Sequence, residues 1–139
     1  MNRAAFQRWL DAYVDAWKSY DVERIGALFS EDATYRYHPQ DEPVVGRAAI
    51  VASWLDEPDV AGTYDAKYAP LAIDGEVHVA RGVTRYFDAD GQPSDEYANV
   101  YICRFDDDGR CTDFIEYWIQ AREFRRRDRL EPLGESGDD

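Results

Sequence analysis

Apolar residues follow two different periods along the chain. Near the start, Phe6, Trp9, Leu10, Tyr13 and Trp17 recur at spacings of three and four. Arg3, Arg8, Asp11, Asp15 and Lys18 occupy the opposite face, so an amphipathic helix is predicted. Asp21 is placed to cap a second, shorter helix with Val22, Ile25, Leu28 and Phe29 as its apolar face. Ser30-Glu31-Asp32 ends it, and a tyrosine-rich strand is expected over 33–38. Pro39 and Pro43 frame an irregular loop up to Gly46. A third helix is predicted over Arg47–Asp56, with Ile50, Val51, Trp54 and Leu55 on one side and Pro58 stopping it. Beyond it the period shortens to two. Four long strands are predicted over 63–73, 76–87, 97–105 and 111–119, separated by Asp74-Gly75, Asp90-Gly91 and Asp108-Gly109 turns.

Helices followed by a meander of antiparallel strands form an α+β pattern. A sheet with aromatic residues on both faces has to cover both. The helices take one face, and the other curls or meets a partner chain. The pattern changes after Phe124. Arg122, Arg125, Arg126, Arg127 and Arg129 cluster there, and acidic residues with Gly and Ser follow. Residues 1–124 therefore read as one domain and 125–139 as a charged, frayed tail. The arginine cluster reads as a solvated helix end paired with acidic neighbours, with anion or RNA binding as the alternative.

Charge and cysteine usage narrow the partners. With 29 acidic and 16 basic residues the net charge is −13, which argues against nucleic acid and anionic membranes. No stretch approaches the roughly 18 apolar residues of a membrane span, and no signal-peptide pattern opens the chain. Cys103 and Cys111 flank a tight acidic turn. A hairpin register there leaves Cys103 about two positions away from facing Cys111, outside good disulfide geometry. Both read as free thiols of a reducing, cytoplasmic compartment. Two cysteines and two distant histidines do not make a zinc site. No phosphate loop, nucleophile elbow or dinucleotide fingerprint is present, so neither a metal nor a cofactor is expected.

Three segments resemble one superfamily. They are the aromatic first helix ending in Trp17 with Leu28-Phe29-Ser30-Glu31-Asp32-Ala33 after the second, Gly46-Arg47-Ala48-Ala49-Ile50 opening the third, and Phe105-Asp106-Asp107-Asp108-Gly109-Arg110 followed by Phe114-Ile115-Glu116-Tyr117-Trp118. Over roughly residues 6–124 the chain resembles the nuclear transport factor 2-like superfamily, and within it the SnoaL-like domains. The resemblance implies a cone-shaped barrel, in which a strongly bent, mostly antiparallel sheet wraps three N-terminal helices and leaves a pocket at the open end. It also implies a homodimer through the outer sheet face. Members include polyketide cyclases, ketosteroid isomerases, scytalone dehydratases, limonene epoxide hydrolases and non-catalytic binding domains, so the fold does not settle the activity.

The candidate chemistry centres on Glu116, which alternation puts on one face with Phe114 and Trp118. Facing inward, it is a carboxyl whose pKa burial raises, suited to general acid–base work; facing outward, it is solvated or paired with an arginine. Arg81, mid-strand, pairs with Glu116 if it faces inward and bridges to a neighbour if it does not. Limonene epoxide hydrolase resembles these segments, with an aspartate at the place of Glu116, an arginine at Arg81 and a second carboxylate two positions later. That later position is Val83 here, so the relay is incomplete. The hydrolase's Tyr-x-Asn reads Tyr35-Arg36-Tyr37. The two tyrosines share a face and can donate hydrogen bonds or simply fill the core.

His38 with Asp41 resembles the histidine–aspartate pairs of superfamily cyclases and dehydratases, which makes it a candidate catalytic acid–base group; the alternative is a loop histidine with no catalytic task. His78 is expected on the outer face. Asn99 and Tyr101 can contact a ligand, and Tyr13, Trp17, Trp54 and Trp118 are pocket walls or plain core. Three functions remain open: a cofactor-free isomerase, cyclase or dehydratase acting on a small hydrophobic or aromatic molecule, a binding domain for such a molecule, or a dimerisation module with a filled cone. Epoxide hydrolysis is weakened by Val83.

Overall fold

The computed structural model describes residues 1–121. The arginine cluster and the tail lie outside the described residues. The elements are α1 (Arg3–Ser19), α2 (Val22–Ala27), β1 (Phe29–Arg36), β2 (Val44–Val45), α3 (Arg47–Asp56), β3 (Tyr64–Asp74), β4 (Val77–Phe87), β5 (Pro93–Phe105) and β6 (Cys111–Gln120). They form an α+β cone. One six-stranded sheet of order β2-β1-β6-β5-β4-β3 curls around the helices without closing. All its pairings are antiparallel except β1 with β6.

Helix boundaries follow local chemistry. Asn2 Oδ1 accepts from the Ala5 N–H, and Asp21 Oδ1 accepts from the Glu23 and Arg24 N–H groups, so both caps satisfy orphan donors. α3 follows Gly46, whose φ of 95° favours glycine, and the Gly46 N–H donates to the Ala33 carbonyl at 2.7 Å.

Long-range pairing accounts for the departures from the expected elements, among them the start of β5 at Pro93 rather than residue 97, where Pro93 pairs with Phe87. β1 starts at Phe29, not residue 33, because Phe29 pairs with Cys111 and the Leu28 carbonyl accepts from the Cys111 N–H. β2 lies inside the expected loop, where Val44 and Val45 pair with Tyr35 and Thr34.

At the narrow end Phe6, Leu10, Ile25 and Phe29 are fully buried. His78 belongs to this end, which corrects its expected outer placement. It is opposite Cys103 in the register, so it shares the inner face, and it is 3% exposed. Its Nδ1 lies 3.0 Å from the Glu76 carbonyl, and its Nε2 3.0 Å from that of Met1. Cys103 and Cys111 are free and buried, with Phe105 opposite Cys111.

Candidate active site

The open end of the cone encloses a cavity of about 490 Å³. α1 supplies Tyr13 and Trp17, β1 supplies Tyr35, α3 supplies Trp54, and the long strands supply the opposite wall. Directly opposed residues of an antiparallel pair share a face. Glu116 opposes Tyr101, and Trp118 opposes Asn99, which opposes Gly82 and through it Tyr68. Glu116, Tyr101, Asn99 and Tyr68 therefore face inward together.

A directed hydrogen-bond chain connects them. Asn99 Nδ2 donates to Glu116 Oε2 at 2.9 Å. Thr84 Oγ1 donates to Asn99 Oδ1 at 2.8 Å. With its proton committed there, Thr84 accepts from the Tyr68 hydroxyl at 2.6 Å. Tyr68, Thr84 and Asn99 are buried, so the chain fixes the Asn99 amide with its NH₂ toward the carboxylate. Burial pushes the Glu116 carboxyl up to about 7, and the Asn99 hydrogen bond only partly offsets it. Burial also drives the phenols of Tyr13, Tyr35 and Tyr101 well above their ordinary range, so they stay protonated. The Tyr13 and Tyr35 hydroxyls lie 2.7 Å apart. The Trp54 indole N–H, on the same wall, is buried with no acceptor among the described residues.

Toward the mouth, Trp17 Nε1 donates to Asp59 Oδ2 at 3.1 Å, and the Tyr20 hydroxyl accepts from the Asp59 N–H at 2.8 Å. Asp56 and Glu57 complete this side at the C-terminal end of α3. Tyr37 and Trp118 are wall residues with open edges. The Tyr37 hydroxyl is 2.8 Å from Ser53 Oγ, and Trp118 meets Tyr97 edge-on.

Of the expected residues, Glu116, Asn99, Tyr13, Trp17, Tyr35, Tyr37, Trp54, Tyr101 and Trp118 all line the cavity. Arg81 does not. It opposes Val100 and Ala69 on the exposed outer face, so the inward pairing with Glu116 is not made, and Asn99 holds that place. The inward positions of β4 are Gly82 and Thr84. Val83 also lies off the wall, and the acid–arginine–acid relay has no counterpart here. His38 sits on the loop after β1, where its Nδ1 accepts from the Gln40 N–H at 3.1 Å and its ring meets Trp118 edge-on, off the cavity wall. Sequence reasoning missed Thr84, Tyr86 and Tyr97, which share the faces of Gly82 and Asn99 by alternation, and Tyr68, which only the register with Gly82 brings to the same wall. It also missed Tyr20, which continues the spacing of Tyr13 and Trp17 as the C-cap of α1, and Asp59, which lies outside the helices and strands.

The SnoaL-like domain signature matches residues 10–114, most of the chain. The chain belongs to the SnoaL-like domain family. The fold is similar to that of an NTF-2 like protein of unknown function from Burkholderia xenovorans LB400. That structure is 15% identical, with a TM-score of 0.63, covering 93% of this chain and 96% of the other. At such identity the likeness concerns the fold alone. No curated protein sequence matches the chain significantly. Among the described residues, no helix is long and apolar enough to cross a membrane.

Proposed function

We propose that this SnoaL-like cone binds a small, largely aromatic molecule and that Glu116 moves a proton on it, as a cofactor-free isomerase, cyclase or dehydratase would. The observation that carries this reading is the Glu116 carboxyl, set in an aromatic cavity, held by Asn99 and raised to about 7. A base poised near neutrality gains most from general acid–base work. Tyr13 and Tyr35 share one hydrogen bond between their hydroxyls, which leaves one phenol proton to donate to a developing enolate oxygen.

Deuterium exchange tests the reading without a known substrate. In D₂O, the protein is expected to exchange α-protons of some member of a panel of aromatic and cyclic ketones. E116Q is expected to lower that rate by about 10²–10⁴-fold. Ligands that bind both proteins with no exchange in either would make this a binding domain.

The outer sheet face supports a second proposal, a homodimer. Val100, Tyr117 and Ile119 are exposed there, with Tyr117 opposite Val100 and Ile119 opposite Ala98. Adjacent apolar side chains of this kind mark association surfaces. Sedimentation is expected to give twice the chain mass, and Ile119→Asp to give a monomer. A wild-type monomer at high concentration would refute this.

A further inference from the structure

The composition of the cavity wall selects a ligand chemistry. Eleven of its eighteen lining residues are Tyr or Trp, and none is Leu, Ile, Val or Met. A site for a neutral hydrocarbon surface is ordinarily built mainly from apolar side chains, aliphatic ones among them. Here every aromatic ring is an electron-rich Tyr or Trp, the faces that attract cations most strongly.

The charges agree with the rings. Four carboxylates line the cavity, with Glu116 inside and Asp56, Glu57 and Asp59 toward the mouth. Among the described lining residues there is no Lys, Arg or His to offset them. Glu57 caps the C-terminal end of α3, whose last turn carries no basic residue, so the negative end of the helix dipole adds to the same field. A chain of net charge −13 steers cations toward such a mouth.

The wall is also pre-formed. The Tyr13 ring stacks on Phe114 at 5.4 Å, Tyr35 stacks on the same Phe114 at 4.5 Å, and Trp17 stacks on Tyr64 at 4.5 Å. The Trp54 indole N–H on this wall, buried and without an acceptor among the described residues, is a donor left for a ligand acceptor.

We infer that the cavity takes a small organic cation, an aromatic molecule bearing a quaternary or protonated amine, in preference to a neutral or anionic analogue. The inference rests on the cavity being a ligand site, as proposed above, and names the chemical class of its ligand. The Tyr and Trp wall surrounds the ammonium group, and the Glu116 and rim carboxylates neutralise it.

The test is a matched pair of probes, (3-hydroxyphenyl)trimethylammonium and its uncharged isostere 3-tert-butylphenol, titrated calorimetrically at pH 8 and low salt. The cation is expected to bind at least tenfold tighter. E116Q and Glu57→Gln are each expected to narrow that ratio by weakening the cation more than the phenol. Equal or tighter binding of the phenol would overturn the cation inference and leave the ligand-site reading standing. Binding of neither probe would also overturn it, and the deuterium-exchange experiment would then decide the acid–base reading separately.

Discussion

E116Q is expected to stabilise the protein at pH 8 by about 2–3 kcal/mol. A carboxyl moved from 4.5 to about 7 by folding is charged at pH 8 in both states, but in the folded state it is poorly solvated. At about 1.36 kcal/mol per pKa unit the penalty is about 3 kcal/mol, and the Asn99 hydrogen bond is already included in it. Glutamine keeps the shape, and its carbonyl still accepts from Asn99 Nδ2.

The pH dependence has a definite sign. The folded state holds the proton more tightly than the unfolded chain, so the contribution of Glu116 to stability is greatest below about 4.5 and is lost as pH rises to about 7. The groups facing Glu116 are Tyr13 on α1, Tyr35 and Tyr37 near β1, Tyr68 on β3, Tyr86 on β4 and Tyr101 with Asn99 on β5. None of the phenols ionises in this window, because burial raises them. E116Q therefore removes this component of the slope. Urea unfolding of both proteins from pH 4 to 8 measures it. A wild-type curve parallel to that of E116Q would mean that Glu116 is not buried as described.

Gly82→Val is expected to cost at least ~3 kcal/mol or to abolish folding. A Cβ at Gly82 would collide with the Lys67 carbonyl and lie 2.8 Å from the Tyr68 Cα. Tyr68 opposes Gly82 and lies against it, which brings the Tyr68 hydroxyl to Thr84. Displacing Tyr68 breaks the chain that orients Asn99, so damage to folding and to the site come together. Denaturation with near-ultraviolet circular dichroism checks both. A cost below about 1 kcal/mol would mean that β3 and β4 are not in contact at this point.

The alternation of Phe114, Glu116 and Trp118 was legible because a carboxylate among aromatic residues stands out on one strand. Its inward direction was not legible. Ile115 and Tyr117 make the other face equally apolar, and only the register with β5 separates the two. Arg81 shows the same difficulty with the opposite outcome. Val77 and Val79, the larger apolar residues beside it, share its outward side, whereas the inward positions Ala80 and Gly82 are small because Tyr68 and Tyr101 fill the space over them. His78 was misplaced by the same parity. Arg47–Asp56 was readable to the residue from Gly46 before it and Pro58 after it, since both are local signals. Phe29 and Val44 were unreadable as strand residues because their partners are distant in sequence or depend on the loop's path. The Trp17–Asp59–Tyr20 contacts depend on that kind of path too.

The central claim is that Glu116 is a half-buried carboxyl poised near neutrality inside the cavity. The direct test is its own titration, followed by ¹³C NMR of glutamate-labelled protein and assigned by comparison with E116Q. The account predicts a carboxyl resonance with a midpoint near 7 that disappears in E116Q. A Glu116 midpoint between 4 and 5 would place the side chain in water and contradict the account.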